Sequence, residues 1–464
     1  MAMLAAKLLM FLFLSQGQHC LAAGLDKCVF LGEEQKNSLY EKGDVVIGGL
    51  FPLHYSPVSS LPKYKTKPTP FTYKYFSSRA LRWMLTMTFA IKEINHRSDL
   101  LPHLKLGFHI RDSCDDIPVS LSAALLLVNG QPDVGTRAES LNRDKGLERN
   151  SHYNVSCAAA QTVSPVIIGD AASGVSMALL KTLGSFHIPL VSYFASCSCL
   201  SNQKEFPTFM RTMPSDAFQI RALARLVSYF GWTWVGVIGV ESDYARFAIQ
   251  LFLKESVKYG VCASYTHFYP VSLSQQALDE LLDVIQMSSS KVIINFSSES
   301  EMQGILREVR YRNITSLQWI ASEAWATAKS LWEKFGDLLT GTLGFAIRRA
   351  DVIPAHALED MSNCKVGQGP FLNRTCADLK NVKPWQLIHY MKRANFSALG
   401  EKVNFDENGD PIAYYDLMNW QRRPDGSLHL VKVGFYDAST PDGRSLVINE
   451  SVIQWPVGKQ EQLF

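Results

Sequence analysis

A run of small and hydroxyl-bearing residues follows a β-branched apolar stretch in the first half of the chain. Residues 166–180 read VIIGDAASGVSMALL, which predicts a strand ending near Gly169 and a helix beginning near Ser173. The first amide groups of a helix have no partner within it and the helix dipole is positive there, so such an end can bind an anion. The anion could be a phosphate, a reaction oxyanion or the carboxylate of a small ligand.

The motifs that would mark an enzyme are missing from this stretch. The glycine at the helix start is not followed by the lysine of a phosphate-binding loop, and GDAASG supplies neither the GxGxxG of dinucleotide binding nor the GxSxG of a nucleophile elbow. No HExxH occurs and the histidines are scattered. We therefore expect a protein that is not an enzyme, with no cofactor, whose Ser173 helix end holds a carboxylate. An enzyme would need a nucleophile and a base within hydrogen-bond reach, and the sequence offers no such pair.

Four further polar residues are candidates for the site. Ser196, Tyr244 and Glu323 follow predicted strands, at the edge where ligands of open α/β sheets bind, and Asp216 opens the first helix of the second run. Two acids and a phenol would suit an ammonium group beside the carboxylate. Each also has a structural interpretation. Asp216 with Gln219 could be a helix cap, Tyr244 a packed aromatic residue, and Glu323 a first-turn acid favoured by the helix dipole. Together they predict a cleft between two lobes.

The alternation of strands and helices predicts the elements that position these residues. We expect strands at 43–51, 105–113, 163–169, 189–195, 233–240, 263–269, 291–296, 318–322 and 341–348, and helices at 79–97, 120–130, 173–186, 216–231, 244–259, 274–287 and 299–312. Apolar strands between amphipathic helices indicate parallel sheets covered on both faces, and two such runs indicate two α/β lobes. Residues 131–160 are polar and aperiodic, which predicts a long loop, whereas 402–438 read as antiparallel hairpins.

Composition and the N-terminus indicate a secreted chain. The 464 residues are 47% hydrophobic and 19% charged, with a net charge of +3 and no dense basic run interleaved with aromatics, so no nucleic-acid partner is expected. Residues 1–23 combine Lys7, an apolar core over 8–14 and small residues at Ala22 and Ala23, the layout of a signal peptide. No apolar run is long enough for a membrane span, so this chain by itself would be secreted.

Secretion favours disulfides among the eight cysteines after the signal peptide. Cys364 and Cys376 enclose a short loop containing glycine and proline, and they form the best local pair. Cys197 and Cys199 form a CxC, but no Cys or His cluster completes a four-ligand metal site, so we interpret them as small core residues beside a turn.

Asn-x-Ser/Thr sequons fit an extracellular surface. We expect glycosylation at Asn154, Asn313, Asn373, Asn395 and Asn449. The sequon at Asn295 lies inside a predicted strand, KVIINFSS, and is expected to be buried and unused.

These segments resemble class C G-protein-coupled receptors. The resemblance is carried by GDVVIGGLFPLH, RALRWMLTMTFAIKEIN, ASGVSMALL, IPLVSYFASCSCLSNQKEFPTFMRTMPSD, FGWTWVGVIGVESDYAR, KVIINFSS, WIASEAW, GPFLNRTCADLKNVKPWQ and INESVIQWP. It covers nearly everything after the signal peptide and is closest to fish vomeronasal type-2-like olfactory receptors and the calcium-sensing receptor. It implies a Venus-flytrap ectodomain of the periplasmic-binding-protein type that closes on a free α-amino acid.

The resemblance also implies a ligand set. The hydroxyls of Ser173 and Ser196 would hold the ligand carboxylate, and Asp216, Glu323 and Tyr244 would surround its ammonium. The Phe194 backbone would add a contact, and Arg79 would lie near the distal end of the ligand. The first lobe would span about 24–213, 349–400 and 439–464, and the second about 214–348 and 401–438. Calcium is an open second ligand with no assigned residue.

The resemblance also implies partners and an extracellular location at the plasma membrane. We expect a homo- or heterodimer through the first lobe, and a G protein reached only through a membrane domain that this chain lacks. The alternative is a secreted amino-acid-binding protein without a signalling domain of its own. Signalling would follow from a ligand that binds the closed form better than the open form.

Three departures from the family pattern stand out. Roughly a hundred family residues are missing after Pro354, far more than ordinary loop variation. Cys114 lacks the family cysteine that often pairs with it, because Tyr73 occupies that neighbourhood. Cys262 lacks the cysteine-rich domain with which its family counterpart often pairs.

Overall fold

The chain is described from a computed structural model. The described residues are 27–28, 38–58, 72–129, 155–156, 163–347, 358, 360–365, 367–378, 382–393, 396–398, 401–403, 406, 408, 410–440 and 445–456. The contacts divide the chain into two units. One comprises 1–36 and 129–162, and the other 37–128 and 163–464. In the smaller unit, β1 (Lys27–Cys28) pairs antiparallel with β7 (Val155–Ser156). The larger unit contains both of the large sheets.

A six-stranded sheet forms the first lobe. Its order is β10-β9-β8-β3-β6-β2, and all neighbours are parallel except β2 against β6. The strands are β2 (Ser38–Glu41), β3 (Val45–Phe51), β6 (Leu106–Asp112), β8 (Ile167–Ile168), β9 (Leu190–Ser192) and β10 (Phe209–Arg211). The helices on its faces are α1 (Ser78–His96), α2 (Ile117–Asn129) and α3 (Ser173–Leu183). Each residue of β3, VVIGGLF, is buried because both faces of the strand are covered.

An eight-stranded sheet forms the second lobe, in the order β12-β11-β13-β14-β15-β18-β19-β20. Its strands are β11 (Trp234–Val240), β12 (Cys262–Tyr269), β13 (Val292–Phe296), β14 (Gln318–Ala321), β15 (Leu343–Ile347), β18 (Tyr414–Arg422), β19 (Leu428–Asp437) and β20 (Leu446–Ile448). The helices are α4 (Asp216–Tyr229), α5 (Asp243–Ser256), α6 (Gln275–Met287), α7 (Glu299–Tyr311), α8 (Glu323–Ala326) and α9 (Lys329–Leu339). The strands from β11 to β15 pair in parallel, as predicted, and β18 and β19 form an antiparallel hairpin inside the region 402–438 where hairpins are expected. The antiparallel pairs of β15 with β18 and of β19 with β20 complete the sheet.

Residues 445–456 pack with the second lobe, which corrects their expected placement in the first as part of 439–464. Strand β20 extends the eight-stranded sheet by pairing with β19. The Trp455 ring lies 5.1 Å from that of Phe230, at the end of α4. The partly buried Trp455 indole fixes the position of the residues after β20, because the pairing of β20 with β19 does not extend to them.

Several small elements escape the sequence patterns. The hairpin of β4 (His54–Val58) and β5 (Thr72–Phe76) and the two-stranded sheet of β16 (Phe396–Ala398) and β17 (Glu401–Val403) were not predicted. Helix α10 (Pro384–Met391) places Leu387 and Met391 in the core of the first lobe. The loop expected at 131–160 lies outside the described residues, apart from β7.

The described cysteines include two disulfides. Cys364 and Cys376 are joined at 2.06 Å, the pair that the short loop favours. Cys197 and Cys199 are also joined by a disulfide, which their interpretation as small core residues beside a turn did not include; the turn brings their Cα atoms to 5.2 Å. Cys114 is free and buried beside the Tyr73 side chain, and its burial raises the pKa of the thiol to about 12.

The sequons divide as expected where the structure describes them. Asn295 is fully buried and accepts a hydrogen bond from the Tyr269 hydroxyl at 2.9 Å, so the prediction that this sequon is buried is confirmed. Asn313, Asn373 and Asn449 are exposed. Asn154 and Asn395 lie outside the described residues. Within those same residues, every helix is too short or too polar to cross a membrane.

Candidate functional site

Ser173 is the first residue of α3, and no side chain caps the amides of this helix end. The backbone amide of Ala172 donates to Asp170 Oδ1 at 3.1 Å, and Ser173 Oγ accepts from the Cys197 amide at 3.3 Å. Burial raises the pKa of Asp170 to about 6, and its Oδ2 has no partner. The Ser173 hydroxyl proton and the first-turn amides are the donors that remain for a ligand. Asp170 was not singled out in the sequence, although it sits in the quoted segment.

Ser196 and Asp216 meet at the start of α4. The Asp216 amide donates to the Ser196 carbonyl oxygen at 2.8 Å, and both residues are buried. The helix cap is Ser215, whose Oγ accepts from the Ala217 amide. Since Ser215 is the cap, the interpretation of Asp216 as a cap is wrong, and its carboxylate is available for another role.

The Asp216 carboxylate is placed where its charge is poorly compensated. Its side chain is only 2% exposed and Oδ2 has no partner. Burial raises the pKa of Asp216 to about 7 and the charge of Glu323 raises it further, while the Ser196 hydroxyl and Arg211 act in the opposite direction. A buried carboxyl that is half ionised at neutral pH and has one oxygen without a partner suits a ligand cation.

Tyr244 and Glu323 belong to the second lobe, as Asp216 does. Tyr244 lies in the first turn of α5, with its ring 6.4 Å from that of Phe296. Burial and the charges of Asp216 and Glu323 raise the pKa of the Tyr244 phenol, so these three side chains lie within electrostatic range of one another. Glu323 opens α8 and is half-buried. Because its pKa is raised, the Tyr244 phenol stays neutral at neutral pH and can form hydrogen bonds.

Arg79 reaches across from the first lobe. Its Nη1 donates to the carbonyl oxygen of Ala324, the residue after Glu323, at 2.8 Å. Its guanidinium lies 4.7 Å from the ring centre of Phe194, and the Trp83 ring packs on the same Phe194 ring at 5.0 Å. The Phe194 amide is already bonded to Ser192 Oγ at 3.2 Å, so a ligand contact through this backbone would fall to its carbonyl.

Taken together, the seven residues singled out from the sequence lie around one junction between the lobes. Arg211 is a functional candidate that sequence reasoning missed. It ends β10 five residues before Asp216 and is fully buried, and an arginine closing a short apolar strand was the available signal. In the part of the chain described, no group of three or more His, Cys, Asp or Glu side chains could hold a metal ion.

Two α/β lobes with polar groups converging between them define a two-lobed ligand-binding protein. The family model described as "Receptor family ligand binding region" matches residues 82–354 and 352–423. The chain therefore belongs to that family, whose fold is the Venus flytrap of periplasmic-binding-protein type.

The relatives are class C G-protein-coupled receptors. The human extracellular calcium-sensing receptor is 30% identical over 516 residues, covering 89% of this chain and 47% of the receptor. Human taste receptor type 1 member 3 is 28% identical over 445 residues, covering 82% and 50%. G-protein coupled receptor family C group 6 member A of Carassius auratus is 25% identical over 460 residues, covering 84% and 50%. The class C resemblance is thereby confirmed, and the chain spans about half the length of the relatives it matches.

The comparisons also bear on the departure after Pro354. The two matched segments of the family model meet at residues 352–354. The alignment with the calcium-sensing receptor is 516 residues long, which exceeds the 464 residues of this chain. Relatives therefore carry residues within the aligned span that this chain lacks.

Proposed function

We propose that this chain is the extracellular ligand-binding region of a class C chemosensory receptor and that it binds a free α-amino acid between its lobes. Ser173 and Ser196 would hold the ligand carboxylate, and Asp216, Tyr244 and Glu323 would surround the ammonium. The Phe194 backbone and Arg79 would lie toward the ligand side chain. Binding to groups from both lobes would favour the closed form by the differential affinity for that form.

One observation carries the proposal. The buried Asp216 carboxyl has an oxygen without a partner and lies in one cluster with the phenol of Tyr244 and the carboxylate of Glu323. Among the described residues, the charge of Arg211 lowers the pKa of Asp216, and an α-ammonium would add a further positive charge. A helix N-terminus with a serine hydroxyl lies on the first-lobe side and suits the α-carboxylate.

The dimer, the G protein and the plasma-membrane location belong to the same proposal. They are supported by the names of the relatives, which are receptors. Calcium is a second candidate ligand only through the name of the calcium-sensing receptor, and we assign no residue to it.

Calorimetric titration of the purified chain with the twenty free amino acids tests the proposal. For each amino acid that binds, the α-amide and the N-acetyl derivative are titrated next. We expect the free amino acid to bind and both derivatives to bind at least about tenfold more weakly, because each loses one charge and leaves site groups unpaired.

The variant Asp216→Asn is compared with Asp337→Asn, which makes the same change on an exposed second-lobe residue paired with Arg310. Only the first should weaken binding. The proposal fails if none of the twenty amino acids binds, or if the free amino acid and its two derivatives bind equally.

A further inference from the structure

An ion pair is buried directly beneath the residues that flank Ser196. Arg211 Nε donates to Asp410 Oδ1 at 2.7 Å, and the two side chains are 0% and 4% exposed. Desolvation can cost a buried pair as much as the attraction returns, so such a pair is weak evidence of a stabilising role. The other hydrogen bonds of Arg211 indicate a different role for the pair.

The guanidinium holds the backbone on both sides of Ser196. Arg211 Nη1 donates to the carbonyl oxygens of Ala195, at 3.2 Å, and Cys197, at 2.9 Å. These are the residues immediately before and after Ser196, whose own carbonyl accepts from the Asp216 amide at 2.8 Å. A rotation of the Ser196 peptide groups would break these bonds, so Arg211 sets the direction of the Ser196 side chain.

The acid anchors this arginine to another part of the chain. Asp410 Oδ2 accepts from Ser201 Oγ at 2.6 Å, and Arg211 Nη2 donates to the same Ser201 oxygen at 2.5 Å. Gln203 Nε2 donates to the Asn408 carbonyl oxygen at 2.5 Å, so a second hydrogen bond joins the segments around Ser201 and Asp410. Every polar atom of the Asp410 carboxylate is thus engaged.

The pair also joins two places where the chain passes between the lobes. Arg211 ends a first-lobe strand, and α4 of the second lobe begins at residue 216. Asp410 follows α10, which packs in the first-lobe core, and precedes β18 of the second sheet. A contact between two crossings keeps the Ser196 segment in register with the second-lobe residues that face it.

We infer that Arg211, anchored by Asp410, is a positioning residue for ligand binding that orients Ser196. The inference rests on the proposed function. It assigns Arg211 no contact with the ligand.

The test replaces the ion pair by apolar side chains in Arg211→Met/Asp410→Leu, a change that often leaves stability intact for a buried pair. Arg310→Met/Asp337→Leu is the control, because it removes an exposed Arg–Asp pair from the second lobe. Melting temperature and calorimetric affinity are measured for the amino acid that binds wild type most tightly, at several pH values. We expect affinity about tenfold or more weaker in the buried-pair variant and unchanged in the control.

The pH profile separates positioning from general loss of structure. Arg211 lowers the pKa of Asp216, so its removal should move the midpoint of the binding profile to higher pH. A buried-pair variant that melts near the wild-type temperature and binds with wild-type affinity and midpoint would overturn the inference.

If that variant does not fold, the single variants Arg211→Lys and Asp410→Asn test the inference instead. Lysine keeps the charge but not the fork of donors, so we expect about tenfold weaker binding, whereas the asparagine oxygen can still accept from Arg211 and binding should change less than about threefold. Wild-type affinity in Arg211→Lys would refute positioning. A wild-type chain that binds no amino acid would instead refute the proposed function.

Discussion

The ionisation of Asp216 should make amino-acid affinity depend on pH near neutrality. Its pKa is raised to about 7 because the carboxyl is buried, and Glu323 contributes in the same direction. A bound ammonium favours the ionised carboxylate and would lower this pKa by about 1 to 3 units. The amino acid therefore binds the ionised form and competes with a proton for the site.

The magnitude follows from the fraction of Asp216 that is ionised in the free protein. With a pKa of about 7, this fraction is about nine-tenths at pH 8 and about one-tenth at pH 6. Affinity should fall about tenfold over that interval, equivalent to about 1.4 kcal/mol. The other groups that interact with Asp216 are Arg211, Glu323, Tyr244 and Tyr415, and the two phenols have raised pKa values and stay neutral throughout.

Isothermal titration calorimetry at half-unit steps from pH 6 to pH 8 measures the effect, with an amino acid whose side chain does not titrate there. Asp216→Asn should bind weakly and with a flat profile. Thermal unfolding without ligand gives a second readout. Because the pKa of Asp216 in the folded protein lies above its ordinary value, this carboxyl contributes stability that is fully present below about pH 4 and is lost as the pH rises through about 7. The asparagine variant should not show this loss of stability.

The reasoning would be refuted by a wild-type affinity that is constant from pH 6 to pH 8. It would equally be refuted by a profile that keeps its full amplitude in Asp216→Asn, since another group would then carry the titration. Asp170 is one alternative in this range, because burial raises its pKa to about 6.

Three further outcomes are expected. Ser173→Ala should lose one charge-assisted hydrogen bond and weaken amino-acid binding by about 1.5 to 3 kcal/mol by calorimetry, whereas Leu180→Ala should lower stability; equal affinity in Ser173→Ala and wild type would exclude the hydroxyl from the site. Ser298→Ala removes the capping box of α7 and should cost about 1 kcal/mol of unfolding free energy in a urea titration while leaving affinity alone, so a stability loss near zero would contradict the cap. Replacing Cys364 and Cys376 together by serine should cost about 3 kcal/mol in the same titration, and an unchanged midpoint would show that the bridge contributes nothing.

Most strands and helices could be placed from the sequence because each depends on a local period. The pattern of 79–97 and the helix at Ser78–His96 agree within one residue, and all residues of β3 are buried as its continuous apolar run indicates. The weakest agreement is β8, where an expected strand over 163–169 has only two paired residues. Short strands depend on their neighbours more than on their own pattern.

For the site, the sequence determined which residue types stand at the strand ends, because the carboxyl ends of parallel strands share an edge. It also indicated a carboxylate site at Ser173 and an ammonium site near Asp216. Only the tertiary structure could show that Asp170 accepts from the amide just before α3, that Ser215 caps α4, and that Asp216 Oδ2 is left without a partner. The Arg211–Asp410 pair joins residues that are 199 apart in the sequence. The packing of Trp455 on Phe230 assigns the segment that ends there to the second lobe and not to the first. Such contacts leave no local period, because they are selected by burial and charge pairing once the lobes have formed.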